Sequence, residues 1–288
     1  MSAKWSPVLL GLMGLFLYAL PLTASSTSKA IPKKRMLKKS KVKKSTPKPM
    51  FHKGMARIAK GFFIPLYIKK QKKYPVKTFW LDRYPVTNAQ FLQFVKKNPR
   101  WRRSRVPRIF SDKTYLKHWK SDLELHNPEK TANSPVVNIS WFPAKYYCQS
   151  QGKRLPTVAE WEYAASASQS QMYGQNEKGY NQRILLWYSR PTPKVLPKIG
   201  STVRNYWGVY DLHGLVWEWT LNFNTALVTG ESRGDSALDK ALFCGSGAAG
   251  APNPKNYAAF MRYAYRSSLK ASYNTSNLGF RCARSTRP

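Results

Sequence analysis

The period of apolar and polar positions changes several times along the chain, and each change marks an element. "GFFIPLYIKK" from Gly61 and "YPVKTFWLDRYPV" from Tyr74 set β-branched and aromatic residues in mixed alternation, which predicts strands. In "TNAQFLQFVKKN" the apolar side chains Phe91, Phe94 and Val95 recur at helical spacing behind Thr87 or Asn88 as N-cap. "SPVVNIS" predicts a short strand, and "WFPAKYYCQSQG" a helix that stops at Gly152. Thr157 caps a further helix, "VAEWEYAASAS". "GVYDLHGLVWEWTLNF" places a turn at His213–Gly214 before a strand-like end, "YAAFMRYAYRSSL" alternates aromatic with small residues, and "LGFRCAR" predicts a terminal strand. Residues 99–134 and 169–205 are irregular and loop-rich, and no segment repeats. Short elements joined by long loops predict an α+β domain whose loops are tied down by something besides packing.

Ahead of Gly61 this patterning fails. Residues 29–60 are rich in Lys, Pro and Ser with few apolar anchors, so they predict a disordered basic linker before a domain over 61–288. Residues 1–28 read as an export signal: Lys4, then the apolar "PVLLGLMGLFLYALPL", then the small residues "TASSTS". That places the chain in the periplasm or outside the cell. The alternative is a membrane anchor over residues 8–22, because heavy positive charge behind an apolar run opposes its transfer.

Charge sharpens this division. The net charge is +36, and 19 of the 49 Lys and Arg precede the first acid, Asp82. From Asp82 onward 30 basic side chains still face 13 acidic ones, so the folded part is basic too. Such a field attracts polyanions, and residues 29–60 are expected to contact an anionic envelope surface. No base-reading module accompanies the charge, so no specific nucleic-acid partner is expected. With three cysteines, no Cys-x-x-Cys and no His-rich cluster, a zinc site is not expected.

Four stretches then carry a likeness. "YPVTNAQFLQFV", "SPVVNISWFPAKYYCQSQGKRLPTVAEWEYAA", "GVYDLHGLVWEWT" and "SNLGFRCAR" occur in the order found in the formylglycine-generating enzyme (sulfatase-modifying factor) family, and the resemblance covers Gly61 to Arg284. It implies a loop-rich variant of the C-type lectin fold with little regular secondary structure, in which Trp161 and Tyr163 are core residues. It implies a disulfide between Cys148 and Cys282, leaving Cys244 as either a functional thiol or a buried inert one. It also implies calcium held by the side chains of Asp211 and Glu218 and the carbonyls of Gly214 and Val216, an all-oxygen set suited to a hard cation.

The oxidase chemistry of the family is where the sequence departs. Its oxidases bind Cu(I) with two cysteines, a soft-ligand pair at which oxygen is activated to oxidise a substrate cysteine. Counting back from "NLGFRC", those positions fall on Asn253 and Ala258, and the only cysteine nearby is Cys244. Copper-dependent formylglycine formation is therefore not expected unless the site has been rebuilt. Iron chemistry is not expected either, since the iron-dependent relatives add a helical domain with a His cluster and this chain has four His in all. The remaining site candidates are Cys244, Trp217, Arg262, Tyr265 and Arg266. The arginines and Tyr265 grip an anionic or peptide substrate or serve as structural pairs; Trp217 lines a groove or packs in the core. A scaffold without its copper pair resembles exported accessory members of the family, such as the nitrite-reductase-associated and pyoverdine-maturation proteins. The expected role is maturation of an exported redox enzyme or peptide; the alternative is a noncatalytic lectin-like module for acidic ligands.

Overall fold

A computed structural model describes residues 54–64, 73–224 and 257–286. At its centre lies a three-stranded antiparallel sheet ordered β1 (Met55–Ile58), β4 (Phe79–Asp82) and β7 (Ala283–Ser285). In β4, "FWLD", Phe79 and Leu81 alternate into the core, and both edges are paired: Ala56 lies opposite Leu81 on one side and Ala283 on the other. The registers join residues some 200 positions apart, so the sheet closes the fold from both ends of the domain. β2 (Gly61–Phe63) and β3 (Tyr74–Val76) form an antiparallel pair, and β5 (Trp217–Glu218) and β6 (Leu278–Gly279) a short parallel one.

β1 corrects the expected boundary. Order begins by Gly54, inside the stretch read as disordered linker, because Met55, Ala56 and Ile58 bury against the sheet despite the basic residues around them. The expected signal at 1–28, the anchor at 8–22 and the rest of the linker up to Lys53 lie outside the described residues.

Helices cover the sheet. α1 (Asn88–Lys97) starts at a full capping box: Thr87 accepts from the Gln90 backbone while Gln90 accepts from the Thr87 backbone. α2 (Pro128–Thr131) is one turn on the irregular 99–134 segment. α3 (Trp141–Ser150) follows "SPVVNIS", which is buried but is not a strand. Its backbone instead reaches separate partners, Val136 donating to Val86 and Asn138 to Thr275, each at 2.9 Å.

α4 (Val158–Ala165) is the hub. Thr157 and Glu160 make a second capping box, and Arg154 clamps Glu160 with two bonds of 2.6 Å. Arg154 also exchanges backbone hydrogen bonds with Ala283 beside β7. α5 (Tyr180–Tyr188) is a helix inside the segment expected to be loop. It starts from Gly179 in the left-handed region without a side-chain cap, so the usual start signal is missing. α6 (Tyr257–Ser268) turns the aromatic/small alternation into a helix, which puts Ala258, Ala259, Arg262, Tyr263 and Arg266 on its buried face.

Among the described residues the two largest apolar clusters make up most of the core. One gathers Phe91, Trp119, Tyr147, Trp219 and Phe280 around Cys148 and Cys282, which are joined in a disulfide. The other packs Phe79, Leu81, Trp161, Tyr163, Leu212 and Tyr263 between the sheet, α4 and α6. Trp161 and Tyr163 are almost fully buried, as the resemblance implies.

Candidate functional site

The site region is built by α4, α5, β5 and α6. Glu162 on α4 is buried in the middle of an apolar helix, between the core rings Trp161 and Tyr163. A carboxylate there requires paired donors. Arg262 supplies a fork, with Nε 3.0 and 3.1 Å from the two oxygens and Nη2 at 2.8 Å. Arg266, one turn on, adds Nη1 at 2.6 Å. Burial alone would raise the Glu162 pKa, but the two guanidiniums outweigh it and hold it at about 2. Both arginines are themselves buried, so their first duty is this carboxylate and not a substrate. The cluster nonetheless holds two cations and one anion.

From Arg262 the network leads outward. Its Nη1 donates to the Tyr188 hydroxyl at 3.2 Å, and that hydroxyl donates to the Ala258 carbonyl at 3.3 Å. The Tyr188 ring stacks on Trp217 at 4.9 Å and 22°. Tyr265 and Trp187 also pack on Trp217, at 4.5 and 5.4 Å. These four rings are half-buried, and they form an aromatic wall whose inner side is braced by the ion cluster. The Tyr265 hydroxyl lies 3.2 Å from that of Thr275. Of the expected site residues, Trp217, Arg262, Tyr265 and Arg266 are thus brought together. Cys244 and Asn253 lie outside the described residues, and Ala258 sits on the buried face of α6. The sequence reading missed Glu162, Trp187 and Tyr188. The acid was visible as a lone carboxylate between two residues assigned to the core.

Trp161 links this cluster to a second one. The Arg266 guanidinium lies 4.7 Å above its ring, while its indole N–H donates to Glu218 at 2.7 Å. His213 packs edge-on against the same ring and donates from Nε2 to the Ala165 carbonyl at 3.0 Å. Its Nδ1 is buried without a partner. Burial, then the nearby Arg262 charge, lower the His213 pKa to about 3, so the ring is neutral.

The expected calcium residues divide between two tasks. Asp211, with φ +62°, accepts from the backbone N–H groups of Gly200 and Thr202 and from the Thr202 hydroxyl. Glu218 is fully buried against Arg281, with Nε at 3.0 and 2.8 Å and Nη2 at 2.8 Å, besides the Trp161 indole. The acceptor oxygens of both carboxylates already face donors, and a guanidinium occupies the charge of Glu218. This arrangement does not fit a divalent cation shared by Asp211, Gly214, Val216 and Glu218.

Fold and site together define a class. The chain belongs to the FGE-sulfatase family: residues 40–286 match the model of the sulfatase-modifying factor enzyme 1-like domain. Its loop-rich α+β architecture is that family's variant of the C-type lectin fold. Among relatives, it is similar to the inactive C-alpha-formylglycine-generating enzyme 2 of Bos taurus, at 31% identity over 246 residues, 72% of this chain and 77% of that one. It is also similar to the formylglycine-generating enzyme of Streptomyces coelicolor, at 32% over 169 residues, 52% of each chain. Among solved structures, PvdO from Pseudomonas aeruginosa aligns with 81% of this chain and 94% of its own at 17% identity and a TM-score of 0.44.

Proposed function

We propose that this chain is a non-oxidase member of the family, exported from the cytoplasm, that assists maturation of an exported protein or peptide by holding it. The carrying observation is the use of its thiols. The sequence has three cysteines, and Cys148 and Cys282 are bonded to each other. Cys244 alone remains, so a Cu(I) dithiolate cannot be assembled within the chain. The name of the bovine relative, an inactive generating enzyme, supports the same reading.

Export is supported by the apolar run behind Lys4 and by a disulfide at the heart of the core, which an oxidising compartment maintains. The basic stretch 29–60 then meets an anionic envelope surface. The client lies against the aromatic wall around Trp217, whose rings offer large, rigid contact area at low entropic cost.

The test uses the full chain, loaded with Cu(I) and incubated in air with a cysteine-containing client peptide. The expected result is no aldehyde product, together with retention of the peptide that is lost on Trp217→Ala. Aldehyde formation that disappears on Cys244→Ser would return the chain to the oxidases.

A further inference from the structure

A second surface shares no residue with the Glu162 network. The end of α1, the turn at Pro99–Trp101, Phe110 and one face of α3 enclose an open groove of about 540 Å³. On α3 the residues Trp141, Phe142, Lys145, Tyr146 and Gln149 recur at helical spacing and line one wall. Trp101 and Phe110 line the other. The groove contains three cations, Lys97, Arg100 and Lys145, and no carboxylate. The chain around it amplifies the charge: from Lys96 to Arg108, seven of thirteen residues are basic and none is acidic.

The volume is that of an open groove able to take a few side chains. Its charge requires an anionic occupant. The rings decide which kind. Arg100 lies over Trp101 at 5.6 Å and over Phe110 at 5.0 Å, and Lys145 lies over Trp141 at 4.6 Å. A cation already sits over each of these rings, which leaves less ring face for a stacked nucleobase or sugar. Phe110 meets Phe142 edge-on at 5.0 Å, and Tyr146 stands 45% exposed at the mouth. What remains available is an apolar cleft between ring edges, rimmed by N–H donors held in place by the rings beneath them.

We infer that this groove binds an extended acidic peptide segment, with an apolar side chain seated against Phe142 and Tyr146 and flanking carboxylates paired to Arg100 and Lys145. The inference needs only the groove and stands apart from the accessory reading of the Trp217 wall.

The probe is a short synthetic peptide of alternating Glu and Phe, titrated into the full chain by calorimetry and tryptophan emission. The basic N-terminal stretch attracts any polyanion, so the contribution of the groove is the difference between the parent and its variants. Arg100→Gln/Lys145→Gln is expected to weaken binding about tenfold and to flatten its salt dependence. Tyr146→Ser, which leaves the charge unchanged, is expected to weaken the Glu/Phe peptide but not polyglutamate. Unchanged melting temperatures establish that the variants fold. Equal affinity in parent and double variant would overturn the inference. So would a thymidine oligonucleotide or an oligogalacturonate that binds more tightly than the peptide and loses its affinity in the same variants.

Discussion

Arg281 and Glu218 form an ion pair with no solvent exposure on either side chain. Every N–H of the guanidinium has an acceptor: Nε and Nη2 reach Glu218, Nη1 reaches the carbonyls of Asp82 and Arg83, and Nη2 also reaches that of Tyr210. One side chain thereby ties β4, the segment before Asp211 and β5 to the connection between β6 and β7.

Breaking one half of this pair strands a buried charge. Glu218→Gln is expected to cost about 3–5 kcal/mol in denaturant unfolding. Replacing both, as Glu218→Gln/Arg281→Met, is expected to recover a large part of that loss. A double variant no more stable than the single one would show that the pair is not coupled through its charge.

Glu162 gives the fold an acid limit. Its pKa is held at about 2 in the fold against 4.5 for a free glutamate, so its ionised form favours folding. That stability is present above about pH 4.5 and is lost as pH falls toward 2. In Glu162→Gln the fall of melting temperature across this window should flatten, from a lower starting value because Arg262 and Arg266 lose their counter-charge. A parallel downward shift of the whole profile, with its slope unchanged, would remove Glu162 as the titrating group.

His213 acts earlier. Its ring must be neutral in the fold, with a pKa near 3 against 6.5 when free, so protonation favours the unfolded chain. Stability contributed by the neutral ring is present above about pH 6.5 and declines from there toward 3. His118, lowered to about 4 by burial and by Arg103, adds to the same decline. His213→Phe keeps the aromatic contacts to Trp161 and Tyr180 and should reduce the loss of melting temperature between pH 7 and 4. Chemical-shift titration of the His213 ring checks this directly: protonation near its free value would refute the assignment.

The disulfide closes a separation of 134 residues. Chain-entropy reasoning gives such a link about 4–5 kcal/mol. Cys148→Ser should lower stability by that order and raise the free-thiol count from one to two. Three free thiols in the untreated parent would show that the bond is absent, and a count of one that Cys244→Ser does not lower to zero would place the pairing in error.

Helix starts and core rings were legible because their signals are local. Thr87 and Thr157 each precede a capping partner three residues on, and Trp161 and Tyr163 sit in an apolar helix. The cysteine pairing was legible only through family likeness, since three thiols leave three pairings open. α5 was missed because Gly179 begins it through backbone conformation and no side chain announces the start. "SPVVNIS" has strand composition, yet its backbone partners lie on three different segments, so burial and not a ladder explains its valines. Arg262 and Arg266 stand out in the sequence as site candidates, but their role depends on Glu162, a hundred positions away, and no local pattern contains that.

Residues 278–285 hold much of this together. They supply the third strand of the sheet, the partner of Cys148, the cation for Glu218 and the acceptor for Val86. Until they have been synthesised, β4 has one bare edge and Glu218 carries an uncompensated charge at a position that must become dry. The two ends of the domain are therefore bound to one another, and the first strands are completed by the final segment. Closure of the domain waits on residues 278–285, and a chain interrupted before Leu278 is expected to lose the disulfide, the β4 edge pairing and the Glu218 counter-charge together.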